Sequence, residues 1–273
     1  MSDVTLVTAF YDIGRSEWDS QFTRKSQEYI ESFRLFLNYD HDMIIYIDAR
    51  HFDALSKMVE CSPYSKNKRL ISIDEAWMKE NIWAWSCLER EQEIMASDFY
   101  RNLIPHRIAA RYPENVNPKY TIITHSKVDF VCNAIDSGMI STEMVVWVDF
   151  GYFHNKTQEK HIPLKHFDIS KLDEKKINLC GMARIDDKDR DVLYTLRNAP
   201  VKICAYFFAA TKNNMKVFQN LSHQALEVYQ RAGIADDEQA VWLLCYFGNE
   251  TLFKIHYFTE WHLGLKYFSK EST

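Results

Sequence analysis

Residues 144–151 of this 273-residue chain read MVVWVDFG, and this segment is the clearest indication of the fold class. Its first five residues are apolar without a break, and three of them are valines, which favour strands. A run that is apolar on both alternating faces is typical of a strand in a parallel sheet that helices cover on each side. The run ends on Asp149, so it predicts a buried strand with a carboxylate at its carboxyl end.

Four other segments show the same strand pattern: TLVTAF (5–10), DMIIYID (42–48), RLISI (69–73) and VKICAYFFAA (201–210). Helical spacing of apolar residues marks residues 18–37, 75–94, 126–135, 214–233 and 237–247. Residues 120–124 fit either a strand or the start of a helix. Strands that alternate with helices predict an α/β fold, with one domain over residues 1–273 and a mostly parallel sheet flanked by helices.

The composition excludes several classes of protein. With only 7 glycines, and neither GxGxxG nor GxxxxGK[ST] in the sequence, a glycine-rich phosphate loop is not expected. The formal net charge of −5 argues against a nucleic-acid partner, which requires a basic face. The 6 cysteines show no CxxC pair, and the first residues lack the pattern of a signal peptide. We therefore expect a cytoplasmic protein with reduced thiols.

Asp149 is the first candidate for chemistry. The carboxyl ends of parallel strands form the edge where α/β proteins bind ligands, and Asp48 ends another strand at this edge. A carboxylate there suits Mg²⁺ or Mn²⁺, and Gly151 would let a ligand approach the backbone. The alternative is that Asp149 only closes its strand in a turn. The letters Asp-Phe-Gly also occur in protein kinases, but no other kinase motif accompanies them.

Two further groups of residues are candidates for a site. Asp236, Asp237 and Glu238 precede or open a helix, where Asp236 is expected to be the N-cap and the other two could act as a general base. The alternative is that all three serve only the helix terminus. Near the C-terminus, His256 and His262 could complete a metal site with Asp149, or could simply pack among the surrounding aromatic residues.

Four segments together resemble the HtrL/YibB family of bacterial surface-glycan (lipopolysaccharide) biosynthesis proteins: VTAFYDIGR (7–15), ITHSKVDFV (123–131), VVWVDFGYFH (145–154) and DDEQAVW (236–242). The resemblance extends from about residue 5 to residue 268. More broadly, the layout is similar to nucleotide-sugar glycosyltransferases of the GT-A type, which have a Rossmann-like sheet. This implies a nucleotide-binding half over residues 1–153 and an acceptor-side half over residues 154–273.

The resemblance also implies roles for individual residues. Those assigned to the nucleotide are Thr8, Ala9, Phe10 and Tyr11 around the base, Asp12 and Arg15 beside it, and Lys127 at the ribose or phosphate. Asp149 matches the first Asp of the DxD motif, but Gly151 stands where the second is expected. Asp237 or Glu238 matches the base on the acceptor side. Either Asp149 binds Mn²⁺ or Mg²⁺ with help from His256 or His262, or the protein is metal-independent and Arg15, Lys127 or Lys254 neutralises the diphosphate.

The expected function is therefore glycosyl transfer. The donor would be a nucleotide sugar, UDP-linked and of the galactose or glucose type, and the acceptor a lipopolysaccharide, lipooligosaccharide or other surface glycan. The alternative is a non-catalytic protein that binds a nucleotide sugar or glycan. Lipid-linked acceptors would place the protein at the inner face of the cytoplasmic membrane, where the His- and Lys-rich residues 154–176 either contact anionic lipid or form a solvated loop. A glycoside hydrolase is disfavoured, because no two acids lie on clearly facing elements.

Overall fold

A computed structural model describes residues 3–18, 22–105, 112–154 and 166–270 of the chain. Its strands are β1 (Val4–Phe10), β2 (Asp42–Asp48), β3 (Lys68–Ile73), β4 (Met144–Val148), β5 (His166–Phe167), β6 (Ile177–Gly181), β7 (Ile203–Thr211), β8 (Phe253–Tyr257) and β9 (Ser269–Lys270). Seven of them form one sheet in the order β3-β2-β1-β4-β7-β6-β8, while β5 pairs with β9. Within the seven-stranded sheet, β7 runs antiparallel to both of its neighbours and the other pairings are parallel.

The helices connect and cover these strands. They are α1 (Ser26–Phe33), α2 (Phe52–Glu60), α3 (Glu75–Asn81), α4 (Trp83–Ser86), α5 (Leu88–Ala96), α6 (Asp98–Leu103), α7 (Pro118–His125), α8 (Lys127–Asp136), α9 (Val192–Asn198), α10 (Lys212–Arg231), α11 (Glu238–Gly248) and α12 (Gly264–Tyr267). None of the described helices is both long enough and apolar enough to cross a membrane.

The central strand β4 shows why its sequence is apolar throughout. Successive side chains of a strand point to opposite faces of the sheet. Val145 and Trp147 belong to the core on one face, and Met144, Val146 and Val148 belong to the core on the other. Because both faces are covered, each residue of the strand is buried. The prediction of an α/β fold with a mostly parallel mixed sheet is thus confirmed.

Several predicted boundaries differ from the structure. The predicted helix over residues 75–94 is broken at Ile82, which is extended, and again at Cys87. A contact remote in sequence favours the first break, since the side chain of Asp129 accepts a hydrogen bond from the backbone N–H of Ala84 at 2.9 Å. The predicted helix over residues 18–37 is a helix only from Ser26 to Phe33, with residues 19–21 outside the described part.

Residues 120–124, which the sequence left open, are helical. The side chain of Asn117 accepts a hydrogen bond from the N–H of Lys119, and Pro118 occupies the first helical position. Proline is favoured there because its missing N–H would have no partner within the helix. The resulting helix, α7, leads directly into α8 and so brings Lys127 to the carboxyl edge of the sheet.

Candidate functional site

A cleft of about 520 Å³ lies at the carboxyl ends of β1 and β4. The segment that follows β1, the segment that follows β4 and the N-terminus of α11 all contribute to its walls. Helices α7 and α8 contribute one side, and α1 together with the segment before it contributes another. This is the edge where α/β sheets place their ligands.

Most of the residues singled out from the sequence line this cleft. They are Ala9, Phe10, Tyr11, Asp12, Arg15, Lys127, Asp149, Gly151, Asp237, Glu238 and His262. The structure therefore brings together residues that are more than 200 positions apart in the sequence, from Ala9 to His262.

Thr8 and His256 are the exceptions. Thr8 is fully buried in β1 and does not reach the cleft. His256 lies on β8, at the far edge of the sheet, where its Nε2 is 3.0 Å from Oδ1 of Asn178 on β6. Lys254, on the same strand, is exposed and also lies outside the cleft. The structure thus does not bring His256 or Lys254 together with Asp149.

Lys127 is the centre of the charged part of the cleft. Its Nζ is 2.8 Å from Oδ1 of Asp149, 2.7 Å from Oε1 of Glu238 and 3.0 Å from the backbone oxygen of Ala205. Asp149 also accepts a hydrogen bond from Nε1 of Trp147 at 2.8 Å. Burial alone would lower the pKa of Lys127, but the two carboxylates outweigh it and hold the pKa above its usual value, so the ammonium is permanently charged.

Asp237, rather than Asp236, caps helix α11, so the expectation for the cap was wrong by one position. The side chain of Asp237 accepts hydrogen bonds from the backbone N–H groups of Gln239 and Ala240, and its Oδ2 accepts from Nε2 of Gln239 at 2.7 Å. Asp236 instead accepts from the backbone N–H of Asp237. Glu238 follows as the first residue of α11 and is turned towards Lys127.

Four carboxyl groups lie close together beside this end of the cleft: Glu114, Asp237 and Glu238, which are buried, and Asp236, which is half-buried. Burial, followed by repulsion from neighbouring carboxylates, raises the pKa of Glu114 to about 8 and that of Asp236 to about 7. The same causes raise the pKa of Asp237 well above its usual value. Burial also acts against ionisation of Glu238, but the charge of Lys127 outweighs it and lowers the pKa. Protonation is therefore favoured at Asp237, whereas Glu238 is held as a carboxylate.

Arg15 provides positive charge on another wall of the cleft. Its Nε and Nη2 donate to the backbone oxygen of Phe22 at 3.3 and 3.1 Å, and its Nη1 donates to the hydroxyl of Tyr29 at 3.0 Å. The guanidinium also lies 5.4 Å from the ring centroids of Trp18 and Tyr120. These contacts fix its plane by cation–π interaction and hydrogen bonding and leave N–H groups for a ligand.

Arg24 and His154 lie near Arg15. Partial desolvation lowers the pKa of His154, and the positive charges of Arg24 and Arg15 lower it further. The ring of His154 stacks on that of Tyr29, with centroids 5.8 Å apart. At neutral pH the imidazole is therefore neutral, and the positive charge of this wall comes from the two guanidinium groups.

Asp12 fixes the segment after β1 through hydrogen bonds. Its Oδ2 accepts from the hydroxyl of Ser26 at 2.6 Å and lies 3.0 Å from Nε2 of His51, while its backbone N–H donates to Asp48 at 3.1 Å. Asp48 in turn forms a 2.6 Å ion pair with Arg50. Burial would raise the pKa of Asp12, but these hydrogen bonds outweigh it and lower the pKa. Asp48 itself does not line the cleft.

The residues around Asp149 do not fit a divalent cation. The Lys127 ammonium occupies both of its oxygens, at 2.8 and 3.1 Å. A side chain at Gly151 would place its Cβ only 2.5 Å from the ring of Tyr29, so an acid cannot stand there unless that ring moves. In the described ranges, no three His, Cys, Asp or Glu side chains are grouped as metal ligands. His262 lines the cleft, but its ring packs on Tyr206, with centroids 4.8 Å apart.

Sequence reasoning missed several residues that line the cleft: Arg24, Ser26, Tyr29, Tyr120, Thr124, His154, Tyr206 and Gln239. Tyr29 lies within the helix predicted over residues 18–37, and no local signal shows that its hydroxyl meets Arg15. His154 begins the His- and Lys-rich segment 154–176, which the sequence predicts to contact anionic lipid or to form a solvated loop. Its position five residues after Asp149 was a usable signal, because the segment that leaves a strand end often turns back over the same edge.

Comparison with known proteins agrees with the resemblance read from the motifs. A family model described as "Bacterial protein of unknown function (HtrL_YibB)" matches residues 2–270. Protein HtrL of Escherichia coli (strain K12) is similar to this chain, with 25% identity over 264 residues, which cover 94% of this chain and 88% of that protein.

Proposed function

The chain belongs to the HtrL_YibB family, and we propose that it is a glycosyltransferase. It would transfer a hexose from a nucleotide sugar, of the UDP-linked type, to a lipopolysaccharide, lipooligosaccharide or other surface glycan. One observation carries the proposal. The end of β1, the end of β4 and the N-terminus of α11 line one cleft, whose 520 Å³ falls in the range of about 300–1,000 Å³ typical of small-molecule sites.

The donor would lie along the edge of the sheet. In this arrangement the rings of Phe10 and Tyr11 border the base, and the guanidinium groups of Arg15 and Arg24 face the diphosphate. The sugar would then lie towards Asp149 and Asp237. What supports this orientation is the set of charged groups that line the cleft, with two guanidinium groups in and after the segment that follows β1 and carboxylates at the end of β4 and at the N-terminus of α11.

Asp237 is the proposed general base for an inverting transfer. The acceptor hydroxyl oxygen would attack the anomeric carbon, and the bond from that carbon to the diphosphate oxygen would break. The diphosphate would leave with the bonding electron pair, and the hydroxyl proton would pass to Asp237. In its ionised form, Asp237 would be a stronger base than an exposed carboxylate because its pKa is raised, whereas Glu238 is committed to Lys127.

Release of UDP from a donor without acceptor is the direct test. The protein is incubated with UDP-glucose and with UDP-galactose, with EDTA or with Mn²⁺, and UDP is measured by a coupled assay. Slow hydrolysis of one donor, accelerated by a lipopolysaccharide-derived acceptor, is expected. Lack of UDP release from both donors, with and without acceptor, would contradict glycosyl transfer from these donors.

A non-catalytic nucleotide-sugar or glycan-binding protein is the second candidate. One observation favours it: Asp149 is engaged with Lys127, and Gly151 stands in place of a second carboxylate. A binding protein would be stabilised against heat by its ligand and would release no UDP. The thermal shift and the UDP assay, run on the same samples, separate the two candidates.

The proposed acceptor also suggests where the protein works. Lipid-linked glycans are assembled at the inner face of the cytoplasmic membrane, so we propose a cytoplasmic protein with peripheral membrane contact. The segment considered for this contact, residues 154–176, is described only at residue 154 and from residue 166 onwards. Flotation with vesicles of anionic and of neutral lipid would test the contact, and equal recovery with both would contradict an electrostatic one.

A further inference from the structure

We infer that the cleft binds the diphosphate of its ligand without a divalent cation. In this inference the guanidinium groups of Arg15 and Arg24 hold the anion, and the ammonium of Lys127 takes the place of a cation between Asp149 and Glu238. The identity of the ligand as a nucleoside diphosphate sugar rests on the proposed function. The arrangement of charged groups in the cleft does not depend on that proposal.

Every N–H donor of the Lys127 ammonium has an acceptor. Its three N–H groups have acceptors on three separate elements: Asp149 after β4, Glu238 at the start of α11, and the backbone oxygen of Ala205 in β7. Its side chain is only 10% exposed. Displacing this buried ammonium would be costly, because the carboxylates of Asp149 and Glu238 would then repel each other without a cation between them.

A metal ion at Asp149 would have to remove this ammonium or share the carboxylate with it. Sharing is unfavourable because two positive charges would then lie within a few ångströms of each other in a site of low dielectric. The ring of Tyr29 also occupies the space that a second carboxylate at Gly151 would need. Tyr29 cannot move freely, because its hydroxyl accepts from Arg15 and its ring packs on Phe10, with centroids 5.4 Å apart.

Arg15 and Arg24 supply the charge that a diphosphate needs. Among the described residues, neither guanidinium forms an ion pair with a carboxylate, whereas Lys127 forms two. Within the described part of the chain, Arg15 donates to neutral oxygens of Phe22 and Tyr29, and Arg24 donates to the backbone oxygen of Thr23. Guanidinium groups that are oriented but not neutralised are well suited to bind phosphate oxygens in pairs.

Isothermal titration of the full-length protein tests the inference, with UDP and inorganic pyrophosphate as probes. Each probe is titrated once in EDTA and once in Mn²⁺. We expect both to bind in EDTA, with UDP binding changed less than about threefold by Mn²⁺. Arg15→Gln and Arg24→Gln should each weaken binding of both probes by roughly tenfold or more, as expected for loss of a charge-assisted hydrogen bond. The matched control is Arg69→Ala, an exposed arginine of β3 outside the cleft.

The titration can contradict this inference independently of the UDP-release assay that tests the proposed function. Binding that requires Mn²⁺, no binding of either probe, or wild-type affinity in both arginine variants would overturn the inference. Circular dichroism of the variants shows whether they are folded, and Arg24→Gln removes fewer internal contacts than Arg15→Gln. If UDP binds in EDTA and both arginine variants lose it, but no UDP-sugar is hydrolysed, the proposed transfer fails and the metal-free anion site stands.

Discussion

The ammonium of Lys127 lies 2.8 Å from Oδ1 of Asp149, in the middle of the candidate site. The contact joins the start of α8 to the end of β4, and a second contact from the same ammonium reaches Glu238 at the start of α11. One charged group therefore holds together the three elements that form the acidic side of the cleft. The arrangement makes Lys127 a stabilising residue of this side of the cleft.

Lys127→Met should destabilise the protein strongly. The variant leaves Asp149 and Glu238 without their shared cation, and removal of one partner from a buried ion pair costs about 3–5 kcal/mol. Urea unfolding at pH 7 measures the change in the free energy of unfolding. As a control, Lys216→Met removes a cation from the exposed pair with Asp136 and should cost less than about 1 kcal/mol. Equal losses in the two variants would contradict a buried, structural Lys127.

Strands β1, β2, β4 and β7 could be predicted because they are mostly apolar runs buried on both faces. The strands predicted over residues 42–48 and 144–148 have the observed bounds, since burial on both faces leaves little ambiguity about where such a strand ends. The breaks near Ile82 and Cys87 could not be predicted. The first depends on Asp129, more than 40 residues later, which binds the backbone N–H of Ala84. A local pattern carries no information about such a partner.

Part of the candidate site could also be predicted, because α/β topology brings certain residues to the same edge of the sheet. Residues at strand ends and at the N-terminus of a helix share an edge by the rules of α/β topology, so Asp149 and Asp237 could be expected together. The partners of those residues could not be read from the sequence. Nothing local to Lys127 shows that it would be enclosed by two carboxylates, and nothing local to Tyr29 shows that it faces Gly151.

Gly151→Ala should destabilise the protein through Tyr29. The new Cβ would lie 2.5 Å from the ring, so the ring or the backbone must shift, and overpacking of this kind costs about 1–3 kcal/mol. The matched control is Gly248→Ala at the end of α11, where a Cβ meets nothing within 4 Å. Combining Gly151→Ala with Tyr29→Leu should recover part of the loss in a double-mutant cycle. Strictly additive losses would show that the ring is not the obstacle.

Stability should fall as the pH rises from about 6.5 to about 8. Glu91, Asp236 and Glu114 have pKa values raised to about 7, about 7 and about 8, mainly by burial. In this window the folded state holds protons that the unfolded state has already lost, so each rise in pH favours unfolding. The buried histidines act in the opposite direction only at lower pH, since burial lowers the pKa of His41 and of His125 to about 4.

The urea midpoint measured at several pH values across this window gives the slope. Glu114→Gln removes one of the contributing groups, so its slope should be shallower than that of the wild type. Glu143→Gln, at an exposed position before β4, should keep the wild-type slope. A flat or rising wild-type profile between these pH values would contradict the raised pKa values of the buried acids.

Asp237→Asn should separate folding from catalysis. Asparagine keeps an oxygen that can accept from the backbone N–H groups of Gln239 and Ala240, so helix α11 stays capped and the free energy of unfolding changes little. The amide cannot take a proton from an acceptor hydroxyl, so loss of a general base should lower kcat for transfer by about 10²- to 10⁴-fold while KM for the donor is kept. Asp191→Asn, which changes the N-cap of α9 outside the cleft, is the matched control and should leave kcat unchanged. A kcat for Asp237→Asn close to that of the wild type, in a correctly folded variant, would assign the base to another group.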